Sequence, residues 1–508
     1  MALLWANLPY LVGYASSTPQ NQFGGFFLYE QDGYSYYAKM RQGAQGAWNF
    51  HLPYTSEAEY QTGDFVYPFY LVLGKFAPLG FSYPLLYHGA RLLSSLLLLM
   101  VLAKFIARFV TDHRWQIWSW WLLLFGGGWG LLVSLFVNQK YVAYELIAPD
   151  AFIFSVLYGT PHVILGFALF LIWIGYMLDL TSRRFQTLRE VAGRLIIANL
   201  LGLLTALSRE AYGPAFAGIF LAYLVALMVQ RRKIPWREGF LAAGSCLGAG
   251  LYGAYLVVVF RTNPGLAAWS QQNEFTSPNL FEFLIGFAPL LVLGLIGLWL
   301  ARRSFSRIAP HTFLIAWLIA GPLMAYLPLA ISRRLIAGWQ IPLCLFGAYA
   351  VLQLIESRVP LRRTIALGAL ALSAISTLVV IGMGLVFVRV PQPPLYQTTD
   401  ELAALNWLGA HTTDRDVVLS DWRFGNLLPI YADARVFVGH PIETIGYKEK
   451  RADTDRFFNP LVPEANRQAL IDRWNITFVV ASADRPVSFH GQIVFQQGLL
   501  KIYQVTPQ

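Results

Sequence analysis

Apolar runs of about twenty residues, separated by short polar or charged stretches, recur along most of this chain. A bilayer core about 30 Å thick takes about 20 apolar residues per helix. Eleven segments approach or meet that need, beginning near residues 2, 83, 116, 161, 194, 214, 239, 284, 311, 341 and 364. The first, ALLWANLPYLVGYAS, is interrupted by Asn7 and Pro9 and reads as a partial span or the remainder of a longer helix. It has no basic leader and no small-residue cleavage site, which argues against a cleaved signal peptide. Two further apolar pieces are too short to cross. Val66 to Gly80 is broken by Pro68, Lys75 and Pro78, and Tyr141 to Tyr158 by Glu145, Pro149 and Asp150. They predict helices lying along or dipping into the outer interface, which would wall an external cavity together with a helix after Asp32.

The loops between the apolar runs alternate in charge. Lys104, Arg108 and Arg114 mark one basic loop, and Arg183, Arg184, Arg189 and Arg194 the next. Arg231, Arg232, Lys233 and Arg237 follow, then Arg302, Arg303 and Arg307, then Arg358, Arg362 and Arg363. Basic loops stay on the cytoplasmic side. The intervening loops, Phe23 to Pro68, Asn138 to Thr160, Ser208 to Gly213, Arg261 to Glu282 and Ser332 to Gln340, are then external, and the tail joins them.

That tail begins at a stiff Val390-Pro391-Gln392-Pro393-Pro394 exit. Its pattern predicts a helix over 400–411, a strand over 417–420, a helical turn over 425–431 and a strand over 436–439. A helix over 467–474, a strand over 477–481 and a hairpin over 492–495 and 500–505 complete it. The expected architecture is an α-helical polytopic membrane protein with about 11 transmembrane helices over 1–389, including an external loop at 17–65. A small external α/β domain occupies 390–508.

Composition supports this reading. Of 508 residues, 56% are hydrophobic, 15% aromatic and only 13% charged, against about 25% charged in soluble domains. The net charge of +10 lies in the loop clusters, so it marks topology and not a nucleic-acid partner. Cys246 and Cys344 fall inside apolar segments and suggest neither a disulfide nor a zinc site. Short basic turns and the absence of a disulfide framework fit a prokaryotic plasma membrane.

Candidate chemistry collects in the external loops. Glu30-Gln31-Asp32 places two carboxylates two residues apart, on one side of an extended segment. There they could deprotonate an acceptor hydroxyl or hold a metal ion; the bland alternative is that Asp32 caps a helix beginning at Gly33. Glu145 and Asp150 form a second acidic pair, with His162 beside them at the start of the fourth segment. Arg333 and Arg334 stand where basic residues are otherwise scarce, and a guanidinium pair suits a phosphate or pyrophosphate. Binding to anionic headgroups is their plain alternative. Arg209 and Glu210 either pair with each other or serve the same cavity. In the tail, Gly439-His440-Pro441, Glu443 and Lys448 follow a strand end, where α/β domains place ligand contacts.

These features resemble the GT-C superfamily of membrane glycosyltransferases, which includes protein O-mannosyltransferases, aminoarabinose transferases and the catalytic subunit of oligosaccharyltransferase. The resemblance rests on the acidic first loop EQDGYSYYAKMRQG, the run PFYLVLGKFAPLGFSYPLLYHGARLLSSLLLLM and the external C-terminal domain. It implies transfer of a hexosyl or pentosyl group, with inversion, from a polyprenyl-phosphate-linked donor to an external lipid, glycan or protein acceptor. It further implies Asp32 as general base or acceptor-orienting group, Glu30 as a supporting group or metal ligand, and Asp150 as a second acid. Arg333, Arg334 and Arg209 would hold the donor phosphate, with Glu145, His162, His440 and Glu443 in support, and a divalent metal stays open. The tail lacks the WWDYG sequence used by the oligosaccharyltransferase subunit, which argues against Asn sequons as acceptors. Two other readings are a flippase for lipid-linked glycans and a non-catalytic scaffold. Transporters concentrate ionisable residues within the membrane, whereas here they sit in loops.

Overall fold

The computed structural model describes residues 2–137, 141, 143–305, 309–482 and 488–505. Among them, eight helices are long and apolar enough to cross a membrane: Tyr83–Phe109, His113–Ser134, Pro161–Ser182, Leu188–Ser208, Tyr212–Arg231, Leu280–Arg302, Ser332–Ile355 and Pro360–Phe387. Trp236–Ser245 and Leu247–Thr262, bent by 50°, make a ninth if they form one span, and His311–Ala325 is apolar but shorter. Ala2–Ala15 is a 14-residue helix containing Pro9. Each expected apolar segment is therefore helical. Arg307 and the first residues of the Asn138 to Thr160 loop lie outside the described residues. The two short apolar pieces are broken helices: Pro68–Gly74 with Ala77–Leu79, and Tyr144–Ile147, Pro149–Ala151 and Ile153–Tyr158.

The chain divides into two compact units. One holds Met1–Asn7, His88–Tyr255 and Phe275–Met383. Between helices in lipid there is little water to expel, so association rests on close packing and on polar groups satisfied inside the bundle. Both are visible. Gly297 on the helix Leu280–Phe305 lies so near the helix Gln340–Ile355 that a Cβ there would stand 1.8 Å from the Phe346 carbonyl oxygen. Gln340, fully buried, satisfies main-chain groups at three points. Its Nε2 donates to the carbonyls of Gly126 (2.7 Å) and Leu122 (3.3 Å), and its Oε1 accepts from the Ile153 N–H (2.7 Å). Trp173 and Phe216 stack at 3.6 Å, and Phe220, Phe313 and Trp317 extend that aromatic core.

The other unit holds Leu8–Tyr87, Leu256–Glu274 and Gly384–Gln508. Its sheet runs in the order Arg435–Val436, Val417–Leu419, Phe478–Ser482, Leu500–Gln504, Gln492–Gln497. The first three strands are parallel and the last two antiparallel, the mixed α/β arrangement expected of the tail. The strand expected over 436–439 stops early. Phe437 N–H still reaches the Val418 carbonyl (3.1 Å), but Gly439 N–H turns to Thr444 Oγ1 (3.1 Å), which starts a loop. The helix Tyr447–Phe457 was not expected, because YKEKRADTDRF has no apolar stripe. It is anchored instead by buried Lys450, whose Nζ bonds Glu57 (2.7 Å) and Ser56 (2.9 Å).

In the same unit, Asn21–Phe23 pairs antiparallel with Tyr396–Thr398. The helix Glu30–Ala44 carries Glu30 and Asp32 in its first turn and Arg41 in its last, both favourable to the helix dipole. It meets the helix Pro68–Gly74 through reciprocal glycines. A Cβ on Gly43 would lie 2.0 Å from the Leu71 oxygen, and one on Gly74 1.9 Å from the Met40 oxygen. Tyr36 stacks on Tyr70 at 4.2 Å beside them, which fixes the helix about its axis.

Candidate active site

Each unit carries a polar centre of its own. In the membrane-helix unit three turns converge. Asp150 lies in the turn Pro149–Ala151, Arg209 and Glu210 link the helices Leu188–Ser208 and Tyr212–Arg231, and Arg333 and Arg334 lie in the turn Ser332–Ile336. Asp150 takes both arms of Arg209, from Nε at 3.1 Å and Nη2 at 2.7 Å, and the Tyr212 hydroxyl donates to it at 2.8 Å. Its own carbonyl accepts the N–H of Gly338, a residue at φ +68° (3.1 Å). Burial alone would raise the Asp150 pKa; Arg209, Arg334 and the Tyr212 hydroxyl outweigh it and hold the carboxyl below its usual range.

Arg334 donates to Glu210 (2.7 Å) and lies 3.9 Å over the Phe275 ring. Arg209 and Glu210 thus do not pair with each other; each bonds a different turn. Arg333 is half-buried, and its Nε has no hydrogen-bond partner among the described residues. Glu145 is buried on the helix Tyr144–Ile147, where its Oε1 accepts the Leu131 N–H at 3.3 Å. Its Oε2 lacks a partner among the described residues, and burial pushes its pKa up to about 7. His162 is half-buried at the second position of the helix Pro161–Ser182.

In the sheet unit the helix Glu30–Ala44 meets the loop after the strand Arg435–Val436. Asp32 is not a helix cap, which was the alternative to a catalytic role. The helix starts at Glu30, its N-cap is Tyr29 in the left-handed region (φ 54°), and no side chain caps it. Nor do Glu30 and Asp32 point to one side, because positions i and i+2 diverge on a helix. Asp32 instead shares a face with Ser35 and Lys39, at i+3 and i+7, and that face carries the centre.

His440 Nε2 lies 3.1 Å from Asp32 Oδ1, while its Nδ1 faces the N–H groups of Ile442 and Glu443, each at 3.1 Å. The Glu443 carboxylate accepts from Lys39 Nζ (2.7 Å) and Ser35 Oγ (2.5 Å), and Lys39 also bonds Ser35. Burial would raise the Glu443 pKa, but the Lys39 ammonium and these hydrogen bonds hold it below its usual range. Tyr54 packs its ring beside His440, at 5.7 Å between centroids, and donates to the Asn426 carbonyl at 3.0 Å. Glu30 is half-buried in the first helical turn, and Lys448 is exposed on the helix Tyr447–Phe457.

The structure therefore joins Asp32 to His440, and Asp150 to Arg209. Sequence reasoning missed Ser35, Lys39, Tyr54 and Tyr212; only the i, i+3, i+7 spacing of Asp32, Ser35 and Lys39 signalled the first two. Among the described residues no three His, Cys, Asp or Glu side chains converge.

The fold and the helices long and apolar enough to cross a membrane mark an integral membrane protein with a GT-C-type fold. The chain is similar to the oligosaccharyltransferase of Archaeoglobus fulgidus solved with a tethered acceptor peptide, with TM-score 0.53, 15% identity and coverage of 95% of this chain and 69% of that one. It is similar also to ArnT of Cupriavidus metallidurans bound to undecaprenyl phosphate, again with TM-score 0.53 and 15% identity, over 98% of this chain and 97% of that one. The Archaeoglobus fulgidus AglB complexed with an inhibitory peptide and a dolichol-phosphate matches at TM-score 0.50. No protein-family model matches the chain, and no curated protein sequence does.

Proposed function

We propose that this protein is a membrane glycosyltransferase that moves a sugar from a polyprenyl-phosphate donor to an external lipid, glycan or protein acceptor. The observation that carries the reading is Asp32, a carboxylate 40% exposed on a rigid helix in a GT-C fold. The structural neighbours were solved with dolichol-phosphate or undecaprenyl phosphate, and the loop guanidinium groups suit such a phosphate.

In the proposed reaction Asp32 orients the acceptor hydroxyl and takes its proton. The acceptor oxygen attacks the anomeric carbon from the face opposite the phosphate. The bond from that carbon to the phosphate oxygen breaks, and its electron pair leaves with the polyprenyl phosphate. The guanidinium groups of Arg333 and Arg334, with Arg209 fixed by Asp150 in support, are of a kind that neutralises a phosphate leaving group. Glu30, half-buried in the same turn as Asp32, adds negative potential near the helix start. Alternation of basic loops supports an external tail and external loops in a prokaryotic plasma membrane.

The test is sugar release or transfer by purified protein from radiolabelled polyprenyl-phosphate sugars, with wild type beside Asp32→Asn and Arg333→Ala. Turnover in wild type and its loss in both variants is the expected result. Donor binding without consumption, unchanged in Asp32→Asn, would favour lipid-linked glycan transport.

A further inference from the structure

We infer that His440 is a neutral positioning residue that fixes the Asp32 carboxylate, and not a member of a proton relay. The inference rests on the reading of Asp32 as the group that meets the acceptor hydroxyl. Two main-chain N–H groups, from Ile442 and Glu443, point at Nδ1 at 3.1 Å each. A ring nitrogen that accepts hydrogen bonds carries no proton, so the ring proton resides on Nε2. Nε2–H therefore donates to Asp32 Oδ1 across 3.1 Å. A second proton on Nδ1 would set three N–H groups against one another in a buried site, since His440 is 2% exposed. The acceptor's proton accordingly passes to Asp32 and from that partly exposed carboxyl to solvent, with no relay through His440.

The loop is built to hold the ring still. Gly439 N–H bonds Thr444 Oγ1 (3.1 Å), and Thr444 N–H bonds the His440 carbonyl (2.9 Å). Gln272 Nε2 reaches the Thr444 carbonyl (2.8 Å), and Asn273 Nδ2 the Ile442 carbonyl (2.8 Å). A side chain at Gly439 would stand 2.8 Å from the Tyr54 ring; glycine there lets Tyr54 pack beside the imidazole. The Glu443 carboxylate then clasps Lys39 and Ser35 on the helix that carries Asp32. Asp32 and Lys39, seven residues apart, are about 10 Å apart along that helix. Loop and helix are thus pinned at two points, which fixes the angle at which Asp32 presents itself.

Two substitutions divide the ring's functions. His440→Gln keeps a donor near the Nε2 position and loses the Nδ1 acceptor; His440→Asn keeps the acceptor near Nδ1 and loses the donor. Positioning predicts that His440→Asn folds like wild type while its kcat falls about 100-fold at unchanged donor KM, with His440→Gln within about tenfold of wild type. Full activity in His440→Asn with loss in His440→Gln would overturn the inference, because the ring would then serve only the loop. Nitrogen-15 NMR of labelled protein reads the same contact without turnover. A His440 Nε2–H resonance that moves on Asp32→Ala supports the clamp, whereas an Nδ1–H tautomer, or an unmoved signal, refutes it. If wild type consumes no donor, the transferase reading fails on that result and the NMR outcome still decides the clamp.

Discussion

Asp150 and Asp32 both lie in stretches that read as external loops in sequence, but their surroundings differ. The Asp150 side chain is 3% exposed and receives a two-armed guanidinium and a phenol. The Asp32 side chain is 40% exposed and faces the His440 imidazole at 3.1 Å. A buried carboxylate saturated by fixed donors has little capacity to accept a proton from a substrate, whereas a partly exposed one beside an imidazole keeps it. In the proposed reaction Asp150 is then the anchor that aims Arg209, and Asp32 the group that meets the acceptor. Two loop acids that look equivalent in sequence are separated by what each bonds.

The comparison can be broken most forcefully by removing each charge. Asp32→Asn is expected to lower transfer by about 10²- to 10⁴-fold with an unchanged melting temperature in detergent, read by sugar release alongside thermal unfolding. Asp150→Asn is expected to act on stability, costing about 3–5 kcal/mol because Arg209 stays buried without its counter-charge. That cost should be fully present above the ordinary carboxylate pKa and vanish as pH falls through the depressed Asp150 value, which unfolding scans across pH would reveal.

Glu145 should show the opposite sign in the same unit. Its raised pKa of about 7 means that the folded state resists ionisation, so stability falls as pH rises from the ordinary carboxylate range toward 7. Glu145→Gln should leave the melting temperature unchanged at pH 4 and raise it at pH 8, by up to about 3 kcal/mol of unfolding free energy. Equal effects at both pH values would show that this carboxyl is not held neutral. The two loop arginines sharpen the picture further. Arg333→Ala should weaken binding of a polyprenyl phosphate by about 10- to 100-fold at little cost in stability. Arg334→Ala, which also frees Glu210 and uncovers Phe275, should lower the melting temperature too.

Helix existence was legible because a span must be long and apolar. The starts read near 83, 161 and 341 fall at Tyr83, Pro161 and Gln340. The expected mixed sheet in the tail was legible for a similar reason, since Val417–Leu419 and Phe478–Ser482 are short buried runs. Tyr447–Phe457 was not, because its helix is held by a buried lysine and not by an apolar stripe. Asp32, His440 and Glu443 could each be singled out from their surroundings, but not their meeting, since Asp32 and His440 are 408 positions apart. The same holds for Asp150 and Arg209. Their pairing follows from which turns the helices bring together, and local pattern carries no information about that.

The central claim is that Asp32 is the reacting carboxylate of a lipid-phosphate-dependent sugar transferase. Its most direct test is transfer from a polyprenyl-phosphate sugar by equal amounts of folded wild type and Asp32→Asn. The account predicts turnover by wild type and loss of about 100-fold or more in the variant. Wild-type turnover matched by Asp32→Asn would contradict it.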